Sequence, residues 1–223
     1  MVPTGLKTIS KPSSFEPIKS SHMCGRYDLN ETGGRIRVKF NVEQLPIIEP
    51  SDDVRPTEMR PIVRLTRHGD ARECVLARWG LVPHWAKDMK FGTKCINARS
   101  ETVATMAAYK DAFKRKRCLI PATAFYEWTG EKGQKTKWRI TVKDEPLFAF
   151  AGLWEWWRDS TKPKEPGIET YTILTTEPND LLSDFHDRMP VIVMEKDFDV
   201  WLEEGSPELL RPLPSEMVEI ARA

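Results

Sequence analysis

The chain has no apolar run near the ~20 residues that a membrane-spanning helix requires. Its longest candidate, Leu147 to Trp154, is strand-sized and interrupted by Gly152, so no membrane partner is expected. Four cysteines (Cys24, Cys74, Cys95, Cys118) and four histidines form no Cys-x-x-Cys pair and no paired-histidine motif. That argues against a structural zinc site, and nothing in the chain calls for a cofactor or metal. A signal-peptide pattern is missing as well, which points to a reduced, cytoplasmic setting. Net charge is scarce too, at +1 overall; the lysines and the glutamate of residues 1–22 contribute +2, leaving about −1 for the rest. A polyanionic partner would therefore have to be met by a local basic surface, because the field of the whole molecule is weak.

What is present is an ordinary globular composition, 40% hydrophobic and 30% charged over 223 residues, enough to bury a real core. Residues 1–22 are rich in Ser, Lys and Pro and lack periodicity, so they read as a disordered leader or an expression tag. Ser21-His22-Met23 resembles a cloning junction, which would make Met23 the natural start; a genuine extension is the alternative. Beyond it, short β-like segments dominate. Ile62 to Thr66 and Glu73 to Trp79 are expected to form a strand pair around His68-Gly69-Asp70. Ser100 is expected to cap a helix with Val103, Met106, Ala107 and Phe113 on one face. Further strands are expected over 118–128, 137–142, 147–153, 170–175 and 191–194. A Pro178-led helix should precede His186, with an amphipathic helix at Phe198, Trp201 and Leu202 and a short one opening at Ser206-Pro207. These elements predict one α+β domain over 23–223, a mainly antiparallel sheet curved into a barrel-like core with a few flanking helices.

Four segments carry chemistry-bearing residues. If Met23 is removed, Cys24 presents two nucleophiles on adjacent carbons, an α-amine with a pKa of ~7.7–8.0 and a thiol near ~8.5. An aldehyde can form an imine with the amine, and the thiol can then close a five-membered thiazolidine; no internal cysteine can do this. Taken alone, an N-terminal Cys is more often incidental. Asn97, in Ile96-Asn97-Ala98-Arg99-Ser100-Glu101-Thr102, can orient an amine without protonating it, and Arg99 can fork onto a phosphate. The same stretch also fits a helix cap with a solvent-facing charge. Glu127, among the aromatics of Phe125-Tyr126-Glu127-Trp128, is either a desolvated acid–base group or an outward-facing strand residue. His186 can shuttle a proton near neutrality; on an extended chain the adjacent Asp187 would point away from it. Trp79, Pro83 and Trp85 can offer a stacking platform for unpaired bases, while Trp154 and Trp201 are expected in the core. Lys114-Arg115-Lys116-Arg117 reads as a phosphate path or a solvated helix end.

In their order along the chain, Met23-Cys24-Gly25-Arg26, Trp79-Gly80-Leu81-Val82-Pro83, Asn97 to Thr102, Phe125 to Trp128, Ala151-Gly152-Leu153-Trp154 and His186-Asp187-Arg188-Met189-Pro190 resemble the SOS-response-associated peptidase (SRAP) family. The resemblance implies a β-rich domain with a groove for single-stranded DNA. It makes Cys24 the residue that crosslinks the ring-opened abasic sugar, with Asn97 positioning its amine and Glu127 and His186 managing protons. It sets Arg26, Arg99 and Arg188 near DNA phosphates, and it carries an autoproteolytic activity that would expose Cys24. The implied partner is abasic single-stranded DNA, bound by a monomer associated with the nucleoid if the source is bacterial. Two departures stand out. Asp53 of Asp53-Val54-Arg55-Pro56-Thr57 occupies a position where the family commonly has Asn. The chain also ends at Met217 to Ala223, where the family continues through another strand. The alternatives are a cysteine peptidase using Cys24, His186 and Asn97 on peptides, and a non-covalent single-stranded-DNA module in which Cys24 is incidental.

Overall fold

The structure, a computed structural model, describes residues 25–131 and 133–223. The expected leader over 1–22 and Cys24 itself lie outside the described residues. In chain order the elements are β1 (Tyr27–Leu29), α1 (Gly33–Phe40), β2 (Ser51–Val54), β3 (Met59–Leu65), β4 (Arg72–Trp79), β5 (Asn97–Arg99), α2 (Lys110–Arg115), β6 (Arg117–Ala122), β7 (Ala124–Thr129), β8 (Thr136–Val142), β9 (Phe148–Trp157), β10 (Ile168–Thr176), β11 (Met189–Pro190), β12 (Ile192–Val193) and β13 (Val218–Arg222).

Strands β3, β4, β6, β9 and β10 close a barrel. β3 pairs antiparallel with β4 from Met59↔Arg78 to Leu65↔Arg72, and β6 with β9 from Arg117↔Leu153 to Ala122↔Phe148. β3 meets β6 at Val63↔Leu119, β9 pairs antiparallel with β10, and β10 returns to β4 through the parallel pairs Thr170↔Arg78 and Tyr171↔Trp79. Closure leaves no open edge among these five strands. These strands are buried on both faces, with Ile62, Phe150 and Ile173 on one and Leu119 and Leu153 on the other, all fully buried; each contributes about 1.5–3 kcal/mol by leaving water.

A second, antiparallel sheet in the order β13-β8-β7-β1-β2 lies against the barrel. Its inward side chains bind the two layers: the Tyr27 and Phe125 rings lie 5.7 and 6.0 Å from Phe150 of β9, both edge-to-face. The fold is thus α+β and mainly antiparallel, as the patterning implies. The expected strand over 118–128 divides at Thr123, whose backbone N–H donates to the Asp28 carbonyl at 2.8 Å. Its first half stays in the barrel as β6, and its second half crosses to the other sheet as β7.

The helices expected after Ser100 and from Pro178 are shorter than their patterns imply. Residues 100–108 form successive turns, and only Lys110–Arg115 is helical. β-branched Thr102, Val103 and Thr105 disfavour a helix here, and the Thr105 hydroxyl donates to the Thr102 carbonyl at 3.1 Å, a local alternative to the helical ladder. A single 3₁₀ turn, Leu182–Asp184, stands in place of the Pro178-led helix. Residues 195–204, by contrast, are helical without a break around Phe198, Trp201 and Leu202, closing in the π turn Val200–Glu204, and Pro207–Leu209 forms the short helix expected at Ser206-Pro207. Trp201 is fully buried as expected, whereas Trp154 is half-buried, with the Arg64 guanidinium 3.8 Å above its ring. The C-terminal segment is itself a strand, β13, paired with β8 from Val218↔Val142 to Arg222↔Trp138.

The basic run at 114–117 is tied into this framework. Lys116 pairs with the buried Glu155 carboxylate. Arg117 donates to the carbonyls of Phe113 (2.7 Å), Lys114 (2.8 Å), Trp201 (2.9 Å), Leu202 (3.1 Å) and Glu203 (2.7 Å). One guanidinium therefore satisfies the orphan carbonyls at the ends of both α2 and the Val200–Glu204 turn. Gly205 lets it in: at φ +66° it sits in the left-handed region, and a Cβ there would lie 2.7 Å from Arg117 Cδ. Lys116 and Arg117 are structural ties, which corrects the phosphate-path reading for both.

Candidate functional site

The C-terminal end of β10 gathers the chemistry. β5 runs parallel to it through Ile173↔Asn97, Leu174↔Ala98 and Thr175↔Arg99, while β11 pairs on Thr175↔Pro190 and Thr176↔Met189. Asn97 and the 186–188 turn therefore flank the same strand end. The Arg188 guanidinium grips the Glu101 carboxylate with both nitrogens and donates to the Thr175 carbonyl at 2.5 Å. The Ser100 amide donates to that same carbonyl at 2.9 Å.

Asn97 is half-buried. Its carbonyl accepts from the Tyr109 hydroxyl at 3.2 Å, and the carbonyl of Ile96, just before it, accepts from the Trp79 indole N–H at 2.9 Å. Trp79 lies fully buried between Tyr27 (5.2 Å, edge-on) and Tyr171 (6.3 Å, stacked). Its task is to brace the Asn97 segment, which corrects the expectation that it stacks on bases. Pro83 is buried also and offers no such surface.

Glu127 reaches the region from the second sheet. Only 5% exposed, it lies on the core-facing side of β7 with Phe125, so the solvent-facing alternative is excluded. Its cross-strand neighbour Trp138 packs edge-on against Phe185 at 5.4 Å, next to His186. β1 and β7 pair at Tyr27↔Phe125, and the Tyr126 amide donates to the Arg26 carbonyl at 3.1 Å. One more step along that ladder runs from Arg26 to Gly25 on one strand and from Tyr126 to Glu127 on the other. The chain thus enters the fold alongside Glu127.

His186 is also 5% exposed. Its Nδ1 lies 3.1 Å from the Arg188 amide and 2.7 Å from Asp187 Oδ1. Unprotonated, that nitrogen accepts from the amide; protonated, it donates to the carboxylate. Either state finds a partner without moving the ring, as a proton shuttle needs. The expectation that Asp187 points away fails because the chain bends here instead of extending.

The arginines differ in availability. Arg99 is exposed; the Arg188 side chain is 9% exposed and turned to Glu101 and Thr175, so it ties the 186–188 turn to β5 instead of presenting itself to a phosphate. Arg26 pairs with Asp53, which Arg55 also holds. Arg188 keeps the Glu101 carboxyl below its usual range by hydrogen bond and charge, against partial burial. Burial pushes the Cys74 thiol up to about 12 and raises Cys95 and Cys118 as well, so these three are poor nucleophiles. Among the described residues no cluster of His, Cys, Asp or Glu could hold a metal ion.

Two exposed aromatics lie on a loop that packs at the start of β10, against Trp157 and Ile168, away from the Thr175 end. Trp85 (49% exposed) meets Phe91 (36%) edge-to-face at 5.3 Å on the loop joining β4 to β5. The loop is pinned at its base where Gly80, at φ +116°, touches Gly92; a Cβ on Gly80 would lie 2.6 Å from the Gly92 carbonyl oxygen. Sequence reasoning found Trp85 and missed Phe91, which is an isolated aromatic until the loop closes. It also assigned no role to Glu101, whose partner is 87 residues away.

The family model described as SOS response associated peptidase (SRAP) matches residues 23–222. The chain belongs to the SRAP family. The SRAP chain is 41% identical to the abasic site processing protein YoqW of Bacillus subtilis over 197 residues, covering 86% of each. It is 31% identical to the abasic site processing protein HMCES of Xenopus tropicalis over 188 residues, spanning 70% of this chain and 55% of that one. A solved structure from Bacteroides thetaiotaomicron superposes with a TM-score of 0.79 at 25% identity, covering 89% of this chain and 91% of that one.

Proposed function

We propose that this protein processes abasic sites by capturing them covalently in single-stranded DNA through Cys24. The observation that carries the reading is that Asn97 and the 186–188 turn flank one end of β10, while Glu127 lies across from Trp138, which packs on Phe185 next to His186, and the Gly25–Arg26 segment enters alongside Glu127. Similarity to relatives named abasic site processing proteins supports the substrate. With Cys24 as first residue, its amine adds to the aldehyde carbon of the ring-opened sugar and loses water to give an imine. The thiol then adds to that carbon, its proton passes to nitrogen, and a thiazolidine results with one water released. Asn97 orients the amine, and Glu127 and His186 carry the proton that the departing hydroxyl needs and return it in the reverse direction. Arg26 and Arg99 meet phosphates, while Trp85 and Phe91, with exposed Lys87, Lys90 and Lys94, offer stacking and charge to unpaired bases. Burial of the other three thiols leaves them poorly placed to compete.

Denaturing electrophoresis tests this directly. Protein beginning at Cys24, mixed with single-stranded DNA carrying one abasic site, should give a heat-stable adduct, and intact DNA should give none. Cys24→Ala should abolish the band; an adduct that survives that change overturns the reading. Cleavage of an unrelated peptide dependent on Cys24 would instead point to a peptidase.

Glu127→Gln and His186→Ala should slow adduct formation or its reversal about 10²-fold or more, the usual scale of a lost general acid–base group. Both should leave binding of intact single-stranded DNA within about twofold, since neither side chain is exposed to a strand. Anisotropy binding alongside a crosslinking time course separates the two effects, and equal losses in both would remove the proton-handling role.

A further inference from the structure

Arg26, Asp53 and Arg55 form an ion cluster where β1 meets the edge strand β2. Arg26 Nη1 bonds Asp53 Oδ1, and Arg55 donates to Asp53 Oδ2 from Nε at 2.9 Å and Nη2 at 2.5 Å. The register Tyr27↔Val54 fixes this: Arg26 flanks one member of the pair, and Asp53 and Arg55 flank the other. Both oxygens of one carboxylate are thus occupied by two arginines, and the group carries a net +1 where the guanidiniums alone would carry +2.

Unlike the Arg188 grip, this one is open to exchange. The Arg26, Asp53 and Arg55 side chains are 32%, 31% and 58% exposed, against 9% for Arg188. Solvated ion pairs of this kind add little to stability, so the cluster is poorly explained as a brace. A guanidinium fork that accepts a carboxylate also accepts a phosphate, with the same geometry. Partial burial tends to raise the Asp53 carboxyl, but the hydrogen bonds and charges of Arg55 and Arg26 outweigh it and hold the group below its usual range. Its negative charge therefore stays in place at any pH where DNA is bound.

We propose that Asp53 is an affinity-setting residue: its carboxylate occupies Arg26 and Arg55 and is displaced by a backbone phosphate when a nucleic acid strand docks. This rests on the single-stranded-DNA reading above and adds a determinant to it. An incoming phosphate must break the grip on Arg26 and then sit beside a like charge. The consequence is a deliberately weakened hold on undamaged DNA at this end of the site, with tight binding left to the covalent step.

The test uses the full chain and a fluorescein-labelled, lesion-free oligothymidylate in an anisotropy titration across a salt series. Asp53→Asn should bind about 5–10-fold more tightly at low salt, and its log K against log[salt] slope should steepen by about 0.7 for each further phosphate that the freed arginines neutralise. Asp53→Ser provides a second variant with the charge removed and a different side-chain shape. Adding Arg26→Ala to Asp53→Asn should cancel most of the increase. Binding by both variants equal to or weaker than the parent, with melting unchanged, overturns the proposal while leaving the DNA reading intact. If neither parent nor variants bind the oligonucleotide, both fall together.

Discussion

Protein whose first residue is Cys24 should crosslink abasic single-stranded DNA at least about 100-fold faster than the chain that begins at Met1. In the longer chain the nitrogen of Cys24 is an amide and cannot form an imine, so the thiol alone would have to hold the aldehyde as a reversible hemithioacetal. Two nucleophiles on adjacent carbons supply the second step intramolecularly, and well-oriented groups of that kind reach effective concentrations of ~10⁵–10⁸ M. A gel time course with both proteins measures the ratio, and intact-mass analysis should show the adduct lighter than its parts by one water. If the chain removes residues 1–23 itself, adduct will appear after a lag that matches the appearance of the Cys24 N-terminus in the mass spectrum. Equal rates from the outset, with residues 1–23 still attached, would show that the amine is not required.

Arg117→Ala should destabilise the protein by about 2–3 kcal/mol, the upper range for losing a charged donor from a part-buried hydrogen-bonded network. Five carbonyls at two helix ends, Phe113 and Lys114 on one side and Trp201, Leu202 and Glu203 on the other, lose a donor at once, and of these Trp201 keeps the Gly205 amide. They are held by a half-buried side chain whose planar fork a single ammonium cannot reproduce. At about 2–4 °C per kcal/mol for a domain of this size, the melting temperature should fall by roughly 4–12 °C. Arg117→Lys should recover little, because one ammonium cannot span both ends. Urea unfolding followed by tryptophan fluorescence checks the value; a loss under about 1 kcal/mol would mean that water satisfies those carbonyls as well as the guanidinium does.

The role of Arg117 shows where sequence reasoning stops. In Lys114-Arg115-Lys116-Arg117 it is one basic residue among four, and only the approach of Val200–Glu204 from more than eighty residues away separates it from its neighbours. The β3–β4 hairpin was legible because its signal is local: two short apolar runs, Ile62-Val63 and Cys74 to Ala77, on either side of a turn with Gly69 at φ +75°. The helix expected after Ser100 fails for the opposite reason. Its apolar spacing suits a helix, but Val103 and Tyr109 bury into the core from a series of turns. Trp79 was misplaced because burial is not written in a Trp-Gly-Leu-Val-Pro string; it comes from Tyr27 and Tyr171 arriving on either side. Asn97, Glu127 and His186 were recoverable as candidates because each sits in a chemically unusual string. What brings Asn97 and the 186–188 turn to the end of β10, and Glu127 toward Phe185 through Trp138, is strand pairing and packing that no single segment encodes.

β1 is hydrogen-bonded on both sides, to β2 and to β7, and the chain ahead of it leads straight to Gly25. A load applied to the chain at that point and directed along β1 falls on several ladder bonds in parallel, so they resist as a set; peeling from a free edge would break them one at a time. The fold therefore resists, as a set of bonds loaded together, a pull by anything fastened ahead of Gly25.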